Sequence, residues 1–324
     1  MPALDVDGYL RRLGITGPVT PDVATLHALL AAHVERVAYE VLELHLGRST
    51  TIDPYESAER IVDRHRGGYC YHLNGALSLL LAAVGYDVVW HRAGVQGGRN
   101  DPAPGAERAN HLALTVHGLP TDDCPSGDWL VDAGLGDAVH EPLPLHEGTY
   151  QQGPFRLGLR PSELEPGGWR FDHDPRGSFA GMDFSPARAT QADFLARHQY
   201  LWTSPESGFV RVCSVQRRDA TGVDILRGVV LSRLDGDPTP SITTLETSQD
   251  WFDALADVFD LPLADVDPPA RQALWRKVRR DHEAWLAATA EADAETSEEV
   301  GQPEGGEAAV PERGDLDDLA VPDA

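Results

Sequence analysis

The spacing of apolar residues changes at Gly85, and that break constrains the fold more than any other feature of the chain. Upstream the period is helical. Val23, Leu26, Leu29, Leu30 and Val34 recur on one face behind Thr20-Pro21, which reads as an N-cap followed by a first-turn proline. Asp53-Pro54-Tyr55-Glu56 is a second start signal, and Ala58, Ile61 and Val62 carry that helix to about His65. Gly67-Gly68 interrupt the pattern. Leu73, Leu77, Leu80, Leu81 and Val84 then define a helix over Cys70–Val84 that Gly85 stops. Downstream come short β-branched runs, at Asp87–Val95, His111–His117 and Trp129–Asp132, with the Pro- and Gly-rich Asn100–Gly105 looping between the first two. Further strands are expected at Phe155–Leu159, Trp169–Phe171, Phe209–Val215 and Val223–Arg233. Helices return at Trp251–Phe259, capped by Ser248, and from Pro269 through Trp285.

At about 150 residues per domain, 324 residues allow roughly two structural units. Of the formal net charge of −25, −11 falls on Ala287–Ala324, a stretch of Ala, Glu, Asp, Gly and Pro without a periodic apolar face, expected to be disordered. The remaining body is still acidic, which argues against general binding to nucleic acid or anionic membranes, since phosphates are repelled before contact. No apolar run approaches the roughly 18 residues of a membrane span. Three scattered cysteines make no disulfide framework, so a soluble cytoplasmic protein is expected. Lys277 is the only lysine beside 26 arginines, which reads as compositional bias and not as chemistry.

Cys70 follows Arg66-Gly67-Gly68-Tyr69 at the start of an expected helix. Free amides and the helix dipole there favour a thiolate, and the two glycines allow a tight turn that leaves the sulfur accessible. The structural alternative is a small buried apolar residue. Cys124 and Cys213 lack this setting. A nucleophilic thiol needs a base and the base an orienting group. Thirteen histidines are available, and His111 heads the strand-like run Leu112–Val116. Asp132 ends Trp129-Leu130-Val131, where capping the following turn is the simpler role. If the two strands are neighbours, His111 and Asp132 meet at one edge, opposite a helix-borne cysteine.

Arg66-Gly67-Gly68-Tyr69-Cys70-Tyr71 with Asn74 resembles the active-site stretch of the arylamine N-acetyltransferases. Val37–Gly47 is similar to the family segment before the cysteine helix, Asn110–Leu114 and Leu130–Gly136 resemble its His and Asp blocks, and Tyr200–Phe209 its Ser-Pro-x-Ser-x-Phe block. These stand in family order across Val37–Phe209. The resemblance implies an α+β fold: a helical bundle over residues 1–85, an antiparallel β-barrel over 86–200 and an α/β lid over 201–286, ahead of the 287–324 tail. It implies a catalytic triad of Cys70, His111 and Asp132 on a papain-like core, with Tyr39, Leu135 and Phe209 as pocket residues. Acetyl-coenzyme A is implied as co-substrate, its phosphates near Gly134–Gly136 and Thr203-Ser204, with a small amine as acceptor. A plain tight turn remains the alternative for Gly134 and Gly136, and core packing for Tyr39 and Phe209.

The chain departs from the family pattern in three places. His72 replaces the usual Glu two residues after the cysteine, Tyr39-Glu40-Val41-Leu42 lacks the usual Asn, and Leu135 stands where Phe is common. Loss of the acid removes an expected partner for Arg64 or Arg66, and His72 is expected to be neutral and not the base. His65, Cys70 and His72 cluster but lack the fourth ligand and second pair of a structural zinc site, so no metal is expected. The rival readings are an amide synthase acting on a biosynthetic acyl chain, a cysteine hydrolase or transglutaminase-like enzyme, and a binding protein that has lost catalysis.

Overall fold

The computed structural model describes residues 3–300. Helices α1 (Val6–Arg12), α2 (Val23–Arg36), α3 (Leu42–His45), α4 (Pro54–Arg64) and α5 (Cys70–Val84) precede Gly85, with the two-residue strand β1 (Tyr39–Glu40) between α2 and α3. Strands β2 (Asp87–Gln96), β3 (His111–His117), β4 (Trp129–Val131), β5 (Leu143–Pro144), β6 (Gly148–Gln152), β7 (Phe155–Pro161), β8 (Trp169–Asp172) and β9 (Gly181–Arg188) follow. They form one antiparallel sheet, ordered β5-β4-β3-β2-β9-β8-β7-β6, that curls into a nearly closed barrel. Helices α6 (Leu195–Thr203) and α7 (Gly208–Arg211) lead to β10 (Ser214–Asp219), β11 (Gly222–Arg227), β12 (Val230–Leu234) and β13 (Ser241–Thr244). These join β1 in a second sheet, β1-β10-β11-β12-β13, backed by α8 (Ser248–Asp257) and α9 (Pro268–Val300). The fold is α+β, as the resemblance implied.

Helix α5 is the axis of the molecule. Leu73, Leu77, Leu80 and Leu81 are fully buried on it, and its other side, including Tyr71 and Asn74, is also buried, so the helix has no solvent face along its first half. That burial explains why its apolar content is high and its amphipathic contrast low: it lies between α4 and strand β3. A second core lies behind the second sheet, where Ala38 and Leu42 meet Val215, Leu226, Trp251, Phe259 and Trp275. The β1 segment is thus shared: its chain belongs to the helical part, but its hydrogen bonds go to β10, Tyr39 opposite Gln216 and Glu40 opposite Val215.

Several local expectations are corrected. Thr20 is not the cap of α2; Asp22 is, accepting from Thr25 N at 2.8 Å, while Thr20 Oγ1 donates to the Asp22 carboxylate. Thr247, one residue before Ser248, caps α8 by accepting from Asp250 N. The run expected as one strand over Phe209–Val215 splits into α7 and β10, because Ser207 accepts from Phe209 N and starts a helical turn. Val223–Arg233 is a hairpin of β11 and β12, turned at Gly228, whose φ of +58° suits a residue without Cβ. Helix α9 continues past Leu286 to Val300, where disorder was expected: Ala and Glu propagate a helix once packing has started it. The rest of the acidic tail, 301–324, lies outside the described residues.

Candidate active site

The site is assembled from three elements meeting end to end. Cys70 is the first residue of α5, so its amide makes no intrahelical bond. His111 is the first residue of β3, and Asp132 follows β4, which pairs with β3 through Leu114 and Val131. The strand pairing therefore brings His111 and Asp132 together: His111 Nε2 donates to Asp132 Oδ2 at 2.7 Å, with both side chains nearly solvent-free. The imidazole also hydrogen-bonds Cys70, which leaves Nδ1 as the nitrogen facing the sulfur. Burial alone lowers the basicity of this ring, but the Asp132 and Cys70 charges and hydrogen bonds outweigh it and raise His111 to about 10. At neutral pH the ring is an imidazolium.

Asn74, one turn along α5 from the cysteine, ties the three elements together. Its Nδ2 donates to Leu112 O at 2.6 Å and to Asp132 Oδ1 at 2.8 Å, and its Oδ1 accepts from Ala133 N at 2.8 Å. Asp132 Oδ1 accepts a further bond from Gly134 N at 2.8 Å. Sequence reading noted Asn74 in the motif but gave it no role; its position one helical turn from Cys70 was the available signal. The loop after Asp132 requires glycine for two separate reasons. A Cβ on Gly134 would lie 2.6 Å from Cys70 Cα, so the loop could not close on the helix. Gly136 has φ +66°, and a Cβ there would collide with the Gln216 side chain.

Cys70, His111, Tyr39, Gly134, Leu135 and Phe209 line one cavity of about 70 Å³, together with Val95, Gly97, Asn110, Ser178, Phe179, Ser214 and Gln216. Four expected pocket residues thus converge on the thiol. Gly136, Thr203 and Ser204 do not line it: Thr203 Oγ1 donates to Gln199 O at the end of α6, and Ser204 Oγ accepts from Glu206 N. Val95, Gly97, Asn110, Ser178, Phe179, Ser214 and Gln216 were missed because they reach the cavity only through long-range packing. A second cavity of about 50 Å³ beneath the β10–β12 face adjoins the first through Ser178, Phe209, Ser214 and Gln216.

The neighbourhood of the missing acid differs from expectation. Arg66 is not left alone: it bonds Glu40 Oε1 at 2.9 Å and Glu43 Oε1 at 2.6 Å. Burial lowers its basicity and these acids more than restore it. The arginine that acts on His72 is Arg60, itself buried, with Nε and Nη2 lacking hydrogen-bond partners among the described residues. Burial, then Arg60 and His198, pushes His72 well below the ordinary histidine range, so it is neutral and rests against Thr50 Oγ1 at 3.3 Å. Among the described residues, His, Cys, Asp and Glu side chains form no cluster suited to a metal ion.

A buried cysteine, a histidine and a carboxylate are hydrogen-bonded in series, an arrangement suited to cysteine-centred chemistry. The family model described as N-acetyltransferase matches residues 22–267. An arylamine N-acetyltransferase of Mycolicibacterium smegmatis is 38% identical over 161 residues, covering 48% of this chain and 56% of that protein. One from Mycobacterium bovis is 29% identical over 272 residues, covering 82% and 92%. The solved structure of Mycobacterium marinum arylamine N-acetyltransferase in complex with CoA superposes with a TM-score of 0.74 at 27% identity, over 85% of this chain and 99% of that one. The chain belongs to the arylamine N-acetyltransferase family.

Proposed function

We propose that the protein transfers an acetyl group from acetyl-coenzyme A to an arylamine or hydrazine through a thioester on Cys70. The observation that carries this reading is the Cys70–His111–Asp132 series, in which His111 is held protonated beside the sulfur. An imidazolium there stabilises negative charge on sulfur. The sulfur adds to the thioester carbonyl, the bond from that carbon to the coenzyme's sulfur breaks, and coenzyme A leaves with the proton that His111 supplies. The amine then adds to acetyl-Cys70. Its surplus proton passes to His111 as the cysteine departs, and Asp132 keeps the ring oriented throughout. The Cys70 amide, unbonded within its helix, is the candidate donor to the tetrahedral oxyanion.

Coenzyme A enters this reading through the M. marinum relative, whose structure contains it. An aromatic amine suits the site because it is unprotonated at neutral pH and because Tyr39 and Phe209, with ring centroids 6.4 Å apart, offer it an aromatic wall. Assignment to the cytoplasm rests on three unpaired thiols; no described helix is long and apolar enough to cross a membrane. Intact mass spectrometry tests the proposal: acetyl-coenzyme A alone adds one acetyl group, an aromatic amine removes it, and Cys70→Ala takes none. Equal acetylation of the Cys70→Ala protein removes the cysteine from the mechanism.

A further inference from the structure

Phe209 forms part of the cavity wall, and its backbone is held from the far side of the molecule. Its carbonyl oxygen lies 3.0 Å from His45 Nε2, and His45 Nδ1 lies 3.0 Å from Lys277 Nζ on α9. The lysine is in turn anchored by Asp281, one turn further along that helix. An ammonium has only donors, so Nδ1 must accept, and the single proton of a neutral imidazole must sit on Nε2. That proton is the one donated to Phe209. Burial and then the Lys277 charge lower His45 to about 4, so the ring is neutral. The nearby Cys213 thiol is pushed up by its own burial and stays uncharged.

We propose that Lys277 is a positioning residue for the substrate cavity: by donating to His45 Nδ1 it fixes the tautomer whose Nε2–H holds the Phe209 carbonyl. Asp281 makes the lock necessary. Its carboxylate stands 3.8 Å from His45 Nδ1 and would attract the ring proton to that nitrogen if the ammonium were absent. A lone pair on Nε2 would then face the lone pairs of the Phe209 carbonyl. His45 also hydrogen-bonds the backbone of Val212, the C-cap of the four-residue helix α7, and displacement of that helix moves the Phe209 ring away from Tyr39 and Tyr69, whose centroids lie 6.4 and 5.1 Å away. The only lysine of the chain thereby links the C-terminal helix to the cavity, although neither Lys277 nor His45 lines it.

The test compares the full-length parent with Lys277→Met and Lys277→Arg at pH ~8.5, about two units above the ordinary histidine pKa. Imidazole ¹⁵N shifts of His45, assigned by their loss in His45→Gln, report the tautomer directly and do not depend on the acetyl-transfer reading. The parent and Lys277→Arg are expected to show the Nε2–H form, and Lys277→Met the Nδ1–H form. Loss of one hydrogen bond holding the wall should raise the KM for an aromatic amine about three- to tenfold in Lys277→Met and not in Lys277→Arg. The rate of Cys70 alkylation by iodoacetamide should be unchanged in all three. The KM arm rests on the proposed function; the shift and alkylation arms stand without it. An Nε2–H ring or an imidazolium in Lys277→Met overturns the proposal. So does an unchanged amine KM in a protein whose Cys70 still acetylates, or a fall in alkylation that tracks the loss of turnover.

Discussion

Burial lowers the basicity of two histidines near Cys70, and only one of them has neighbours whose charges outweigh it. His111 faces the Asp132 carboxylate and the cysteine and is raised to about 10, whereas His72 faces Arg60 and His198 and is driven well below its ordinary value. Only the first can hold a proton at neutral pH beside a developing thiolate. His111→Gln should therefore slow single-turnover acetylation of Cys70 by about 10²–10⁴, the usual range for a general acid–base group, while His72→Gln keeps most of the rate. Rapid-quench measurements from pH 5 to 9 check this, and an inactive His72→Gln beside an active His111→Gln reverses the assignment. Neutrality of His72 was readable from the sequence, since a cation is unfavourable in a first helical turn. Its opposing arginine was not, because Arg60 lies one helix away and meets residue 72 only when α4 packs on α5.

Element boundaries followed the strength of their local signals. Helix α5 begins and ends at the expected residues, because Tyr69 is extended and Gly85 adopts φ +114°, with its amide bonded to Leu81 O and Ala82 O and that of Tyr86 bonded to Leu81 O. The left-handed glycine both terminates the helix and aims the chain into β2. Gly85→Ala should cost about 1 kcal/mol, the penalty for a Cβ in that conformation, with little effect on acetyl transfer. A denaturant midpoint unchanged from the parent would show that the cap tolerates a side chain. The α2 and α8 caps fell one or two residues from expectation because several capping residues stand together, Thr20 with Asp22 and Thr247 with Ser248. Which of them caps depends on where packing sets the first turn. Strands β5, β6 and β13 were missed for a related reason: they are short or carry little apolar alternation, and they exist as ladder partners of better-marked strands.

On the scale of the whole molecule, buried histidines set the pH range of stability. Burial lowers His33 to about 3 and His45 and His91 to about 4, so these rings are neutral in the folded state and take up protons on unfolding below about pH 6.5. Their contribution is present above that pH and is lost as pH falls toward 4. His111, raised to about 10, acts in the opposite sense: its contribution is present below about pH 6.5 and is lost as pH rises to 10. The melting temperature should therefore peak near neutrality and fall on both sides, with the acid limb steeper because several lowered rings, His72 among them, act together. Calorimetry between pH 4 and 10 checks it, and a midpoint still rising from pH 6 to 4 contradicts the neutral rings. Helices α2, α4, α5 and α8 and the strands delivering His111 and Asp132 were legible in the sequence alone, because each depends on spacing within a few residues. Tertiary structure decided the rest. It made β1 part of the second sheet, set Asn74 across three elements and brought Lys277 to His45, 232 residues away. Periodicity and capping act over one or two turns of chain, whereas these contacts depend on which surfaces exclude water together, and that is settled only when the whole chain packs.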